Sequence, residues 1–219
     1  MILYLFDIDG TLLSAHGSGR RAFDAVFAEQ HRIADASNGI RYGGKTDPAI
    51  IDEIFIAHLG RIGTPEEHAA VLEAYVPRLA EMLAAQGVEV LDGVTAALDW
   101  LTSRATLGVA TGNVRAGAGV KLAAAGLHDR FELGGYGCDS RIRAELVATA
   151  IERGRARGAV REVVVVGDTI YDIAAARACN ATVCAVATGA DSATALADAD
   201  AVFTSMAELP AWHSARFGD

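Results

Sequence analysis

The chain opens on an apolar run, Met1 to Phe6, that passes directly into Asp7-Ile8-Asp9-Gly10-Thr11. A short Ile/Leu/Tyr/Phe run reads as a strand buried on both faces. After Thr11 the pattern turns helical. Phe23, Val26 and Phe27 share one helical face, and Ile50, Ile51, Ile54, Phe55 and His58 share another. Thr64-Pro65-Glu66-Glu67 combines an N-cap, a proline at N1 and a glutamate at N3. That combination starts a helix running toward Gln86, with a kink expected at Pro77. No strand is expected between Leu13 and Gly87, so this block reads as wholly helical.

From Gly87 onward helix and strand alternate. Helices are expected around Thr95 to Ser103, Arg115 to Ala125, Arg143 to Arg157 and Ile170 to Cys179. Strands are expected around Thr106 to Ala110, Phe131 to Leu133, Val163 to Val166, Thr182 to Ala187 and Ala201 to Thr204. Such alternation implies a parallel sheet with helices on both faces. The first strand must join that sheet, because the helical block offers it no partner. The expected architecture is therefore α/β: a doubly wound parallel-sheet core from residues 1–13 and 87–219, with a helical unit, 14–86, inserted after the first strand.

Composition narrows the class. The chain is 52% hydrophobic and 21% charged, which is globular, and 219 residues suffice for one core plus a small second unit. A net charge of −9 argues against a nucleic-acid surface, and an anionic substrate needs local cations. Three cysteines, with no C-x-x-C pair, point to a reducing compartment and structural thiols. The N-terminal apolar run is cut short by Asp7, so it reads as neither signal peptide nor membrane span, and a cytoplasmic protein is expected.

In open α/β sheets, ligands bind outside the carboxyl ends of the strands. Asp7 and Asp9, two apart on extended backbone, leave the same face. The strand ending at Ala110 is followed by Thr111-Gly112-Asn113, a hydroxyl and open amides at a helix start, suited to an anion. Val163 to Val166 delivers Gly167-Asp168, with Asp172 one helical turn on. Four carboxylates thus share one rim beside an anion cradle, an oxygen-ligand set that suits Mg²⁺ holding a phosphate.

DIDGT, TGN and GDTIYD, in that order after strands, resemble the haloacid dehalogenase superfamily of phosphohydrolases. The likeness is to phosphoglycolate-phosphatase-like members with a Rossmann-like core and a helical cap inserted after the first motif, and it covers the whole chain. The resemblance implies that Asp7 is the nucleophile, forming an aspartyl-phosphate, and also a Mg²⁺ ligand. Asp9 would protonate the leaving group and then activate water, with its main-chain carbonyl on the metal. Thr111, with Gly112 and Asn113, would bind the transferring phosphoryl group, and Asp168 and Asp172 would complete the metal site.

The family usually places a lysine at the start of the helix before the last acidic motif. Here that stretch reads Asp139-Ser140-Arg141-Ile142-Arg143. Arg143, which opens the helix, is the expected phosphate-binding substitute and Arg141 is second; Lys121 is the other candidate, although it falls mid-helix and reads as a solvated side chain.

Several segments imitate other sites. Gly39 to Thr46 matches the P-loop pattern GxxxxGK[ST], but no strand precedes it and Pro48 interrupts the helix that should follow. Gly43 to Pro48 is similar instead to G-x-T-D-P cap loops in related phosphatases, with Lys45 a candidate for an anionic group of the substrate. DIDG echoes a calcium loop, but Leu12 and Ser18 stand where that loop needs Gly and Glu. Arg20 and Arg21 read as surface helix charges, and His16 lies near the site by position.

The function expected is a Mg²⁺-dependent phosphoric monoester hydrolase acting on a small phosphorylated metabolite, phosphoglycolate or similar, as a monomer or homodimer with no nucleic-acid or membrane partner. A phosphomutase, or a phosphate-ligand binding protein without turnover, are the alternatives. Asp9 argues against dehalogenation, because true dehalogenases of the family lack the second acid.

Overall fold

The computed structural model describes residues 1–218. In chain order the elements are β1 (Ile2–Phe6), β2 (Leu13–Ser14), α1 (Ser18–His31), α2 (Asp47–Leu59), α3 (Pro65–Gln86), β3 (Glu89–Val90), α4 (Val94–Leu101), β4 (Thr106–Ala110), α5 (Arg115–Ala124), β5 (Leu133–Gly135), α6 (Arg143–Arg155), β6 (Glu162–Gly167), α7 (Ile170–Ala178), β7 (Thr182–Val186), β8 (Ala201–Phe203) and α8 (Leu209–Phe217). Six strands form one parallel sheet in the order β5-β4-β1-β6-β7-β8. β1 lies inside it, flanked by β4 and β6.

Alternation along β1 sorts the two layers. Tyr4 and Phe6 pack with α4, α5 and α8, whereas Leu3 and Leu5 pack with α6 and α7. This is the doubly wound arrangement that an all-apolar strand requires. The helices α1, α2 and α3 lie between β2 and β3. Their buried side chains, Phe23, Phe27, Ile51, Phe55, Val71, Tyr75 and Leu79, continue the core cluster of the Tyr4/Phe6 layer. Phe23 stacks on Tyr75 with ring centroids 4.0 Å apart.

Local differences from the sequence reading have clear causes. A two-stranded antiparallel ribbon, β2 with β3, ties together the outgoing and returning chain. Two-residue strands carry no periodicity that a sequence could reveal. The strand expected at Phe131 begins at Leu133, because Phe131 ends a short 3-10 turn and packs its ring on Phe6 at 6.0 Å. α3 runs through Pro77 as one helix, started by a capping box in which Thr64 Oγ1 accepts from Glu67 N and Glu67 accepts from Thr64 N. The terminal helix α8, opened by a proline in its first turn, was not expected. No described helix is long and apolar enough to cross a membrane.

Candidate active site

Neighbouring parallel strands bring the candidate residues together at their carboxyl ends. Asp7 follows β1, Thr111 follows β4 and Asp168 follows β6. Gly10 makes the turn after Asp9 with φ +81°, and a Cβ there would lie 2.6 Å from Asp168 Oδ2. Only glycine lets the β1 loop approach Asp168 so closely. Asp172 arrives by capping: its Oδ2 accepts from Thr169 N at 3.0 Å and Thr169 Oγ1 at 2.6 Å. The signal that starts α7 therefore also turns this carboxylate into the site.

Asp7, Asp168 and Asp172 are all buried, with one carboxylate oxygen from each within 4.8 Å of the others. Arg143, buried at the start of α6, places Nη2 2.6 Å from Asp172 Oδ1 and 3.1 Å from Asp7 Oδ1. Thr11 and the Ala190 amide donate to Asp168 at 3.2 and 2.7 Å. One guanidinium does not balance three buried carboxylates. Burial, reinforced by mutual repulsion with Asp172, holds the carboxyls of both Asp7 and Asp168 above their usual range, and Arg143 opposes this at Asp7. An oxygen-only, undercompensated donor set of this kind fits a hard divalent cation.

Asp9 points elsewhere. Its carboxylate accepts from Lys121 Nζ at 2.8 and 2.6 Å and from Asn113 Nδ2 at 2.7 Å. The Asp9 carboxylate is thus not part of the Asp7, Asp168 and Asp172 cluster. Thr111 is buried and its Oγ1 accepts from Asn113 Nδ2 at 2.8 Å, which leaves its O–H to donate. Lys121 corrects the sequence reading: it is buried, not solvated. The reason is tertiary, since α5 packs against α3 and its outer face is covered. Arg141 is exposed and pairs with Asp52 at 2.9 Å, away from the carboxylate cluster.

The loop before α2 closes over this rim. Asp47 N donates to Gly112 O at 2.8 Å, and Asp47 Oδ2 accepts from Val114 N at 2.8 Å. Arg41 reaches Asp191 at 2.6 Å. A cavity of about 360 Å³ results, with Asp7, Asp9, Thr111 and Arg143 on one side and Tyr42, Ile50 and Tyr75 on the other. Lys45 lines it but pairs with Glu53 at 2.6 Å. His16 lies at its mouth, and Arg20 is spent on the carbonyls of Ser37 and Ile40. Arg21 holds Ser18 and Gln86. Gly39 to Thr46 follows a helix, and Thr46 caps α2 by accepting from Ala49 N, so no P-loop forms.

Two predictions arise from this closure. A Cβ on Gly112 would lie 2.0 Å from Lys45 O. Gly112→Ala is therefore expected to hold the loop off the rim and raise KM roughly tenfold or more. The melting temperature should fall as well, because the displaced loop gives up the Asp47 contacts to Gly112 and Val114; steady-state kinetics beside a thermal melt checks both. Asp47 was missed by the sequence reading. Burial pushes its carboxyl up to about 6, with Lys121 and the Val114 amide opposing. The folded protein holds that proton more tightly than the unfolded chain, so this group costs stability as pH rises from about 4 to about 6, and the cost persists above. Asp47→Asn is expected to stabilise by roughly 1–3 kcal/mol at pH 7.5, with the gain vanishing toward pH 4, in denaturant titrations at each pH.

The parallel sheet, the acidic strand-end rim and the docked helical block define a doubly wound α/β protein with its candidate site at the carboxyl ends of the strands. The family model for haloacid dehalogenase-like hydrolases matches residues 3–180, and the chain belongs to that family of enzymes. A comparison with curated proteins found no match. Among solved structures, CbbY from Rhodobacter sphaeroides in complex with phosphate is similar over 94% of this chain and 95% of its own, at 20% identity and TM-score 0.72. A hydrolase from Pseudomonas syringae is similar over 99% of both chains, at 19% identity and TM-score 0.72. A protein from Bacteroides vulgatus, provisionally assigned as a beta-phosphoglucomutase, is similar over 98% of this chain and 88% of its own, at 18% identity and TM-score 0.72. At these identities the likeness shows the fold.

Proposed function

We propose that this chain is a Mg²⁺-dependent phosphatase that hydrolyses a small phosphomonoester through an aspartyl-phosphate on Asp7. The observation that carries the reading is the convergence of Asp7, Asp168 and Asp172 around Arg143, beneath a cavity of metabolite size. The phosphate complex of CbbY, which shares the fold, adds support. In this reading residues 1–13 and 87–219 are the catalytic core and 14–86 the cap that selects substrate. Three free thiols fit a cytoplasmic setting.

Asp7 attacks phosphorus while the bond to the leaving oxygen breaks, and Asp9 gives that oxygen its proton. Water then attacks the phosphoryl group, Asp9 takes the water proton, and the Asp7 carboxylate is released. Thr111 donates to a phosphoryl oxygen, and Arg143 orients Asp7 and offers its guanidinium to the same oxygens. Asp7, Asp168 and the Asp9 main chain, with Asp172 in support, would hold a divalent cation, which would supply neutralising positive charge. The docked cap loop narrows the access of bulk water to the strand-end rim.

Phosphate release from a panel of small phosphomonoesters, with and without Mg²⁺, tests this. Metal-dependent release is expected, with phosphoglycolate among the substrates to rank. No release from any ester by folded protein that binds Mg²⁺ overturns the phosphatase reading in favour of a mutase or a binding protein.

A further inference from the structure

The chain has 17 arginines but two lysines, Lys45 and Lys121, and both line the cavity. Arg and Lys are not interchangeable where a compact point charge is needed, so a lysine kept at the site of an arginine-rich chain is informative. Lys121 lies two turns into α5, its side chain 6% exposed, beneath the first turn of α1. A Cβ on Gly19 would lie 3.8 Å from Nζ, so the start of α1 passes close over the ammonium.

Nζ has three protons and makes three short contacts: Asp9 Oδ1 at 2.8 Å, Asp9 Oδ2 at 2.6 Å and Asn113 Oδ1 at 2.7 Å. Asn113 closes the triangle by donating to Asp9 Oδ2 at 2.7 Å. The Asp9 side chain is itself 43% exposed, into the cavity. One end of the pair is locked in protein and the other open to substrate. The direct ion pairs thus divide, Arg143 holding Asp7 and Asp172, and Lys121 holding Asp9.

We infer that Lys121 is the positioning residue for Asp9: with Asn113 it aims the Asp9 carboxyl at the leaving-group oxygen and stabilises the carboxylate that remains once the proton has passed. In the first step the Asp7–phosphorus bond forms and the bond from phosphorus to the leaving oxygen breaks. The Asp9 proton moves to that oxygen, and the new carboxylate charge is met by the Lys121 ammonium, which keeps all its protons. In the second step the same held carboxylate receives the water proton. This inference rests on the phosphatase reading above.

The test uses leaving groups of different need. p-Nitrophenolate departs without a proton, whereas the alkoxide of beta-glycerophosphate does not. With saturating Mg²⁺, Lys121→Met is expected to lower kcat/KM for beta-glycerophosphate by roughly 10²-fold, and that for p-nitrophenyl phosphate far less. In an Asp9→Asn background the same substitution should change neither value further. Equal losses on both esters, or losses that add to those of Asp9→Asn, overturn the inference while leaving the phosphatase reading intact. Wild-type protein inactive on every ester overturns both. Should Lys121→Met fail to fold by circular dichroism, Lys121→Arg, which keeps the charge but not the compact geometry, carries the same comparison.

Discussion

Asp7→Asn is expected to lower kcat by at least about 10⁴-fold without unfolding the protein, because losing a nucleophile removes the chemical step and not merely some binding. The amide is isosteric, cannot attack phosphorus, and leaves Arg143 still paired with Asp172 at 2.6 Å. A second readout separates this from a folding defect. Burial holds the Asp7 carboxyl above its usual range, so in the metal-free protein this group costs stability as pH rises from its unfolded to its folded value, and the full cost persists above. Removing that charge should therefore raise the thermal midpoint near neutral pH and shrink the further rise on adding Mg²⁺. Phosphate release and melting curves measured together check both signs. A variant keeping a tenth or more of wild-type turnover would place the nucleophile elsewhere.

Arg143→Met should be the most destabilising single change at the site. The guanidinium sits between Asp172 and Asp7, all three nearly inaccessible to water. Breaking a buried ion pair by removing one partner leaves uncompensated charge and costs about 3–5 kcal/mol. Here the cluster with Asp168 would have no cation left. Urea unfolding without metal should show the full loss, and Mg²⁺ should recover part of it by replacing the missing charge. Arg143→Lys should recover less than the wild type shows, because an ammonium cannot span both carboxylates as the fork does. Unchanged stability and turnover in Arg143→Met would remove Arg143 from the account.

Much of this was legible along the chain. The β1 run and the alternation after Gly87 dictate a parallel sheet, and Asp7, Thr111 and Asp168 each follow a strand that the apolar pattern marks. Arg143 was legible because it opens a helix at the point where a cation was due. Asp47 and Lys121 were not. Asp47 stands at a helix start, where an acid is ordinary, and nothing local says that its carboxylate meets the amide of Val114, 67 positions on. Lys121 stood as a candidate cation at an ordinary helical position, but nothing local says that it is buried or that it pairs with Asp9.

The division has one physical cause. Periodicity and turn chemistry are local, so the sequence by itself determined which segments become strands and helices and which acids stand at strand ends. Burial is a property of what packs on top. The docking of α3 on α5, and of the loop before α2 on Gly112, decided which charges lose water and so which must pair. The tertiary structure alone therefore turned a solvated-looking lysine into the partner of Asp9 and a helix-start aspartate into part of the cavity wall.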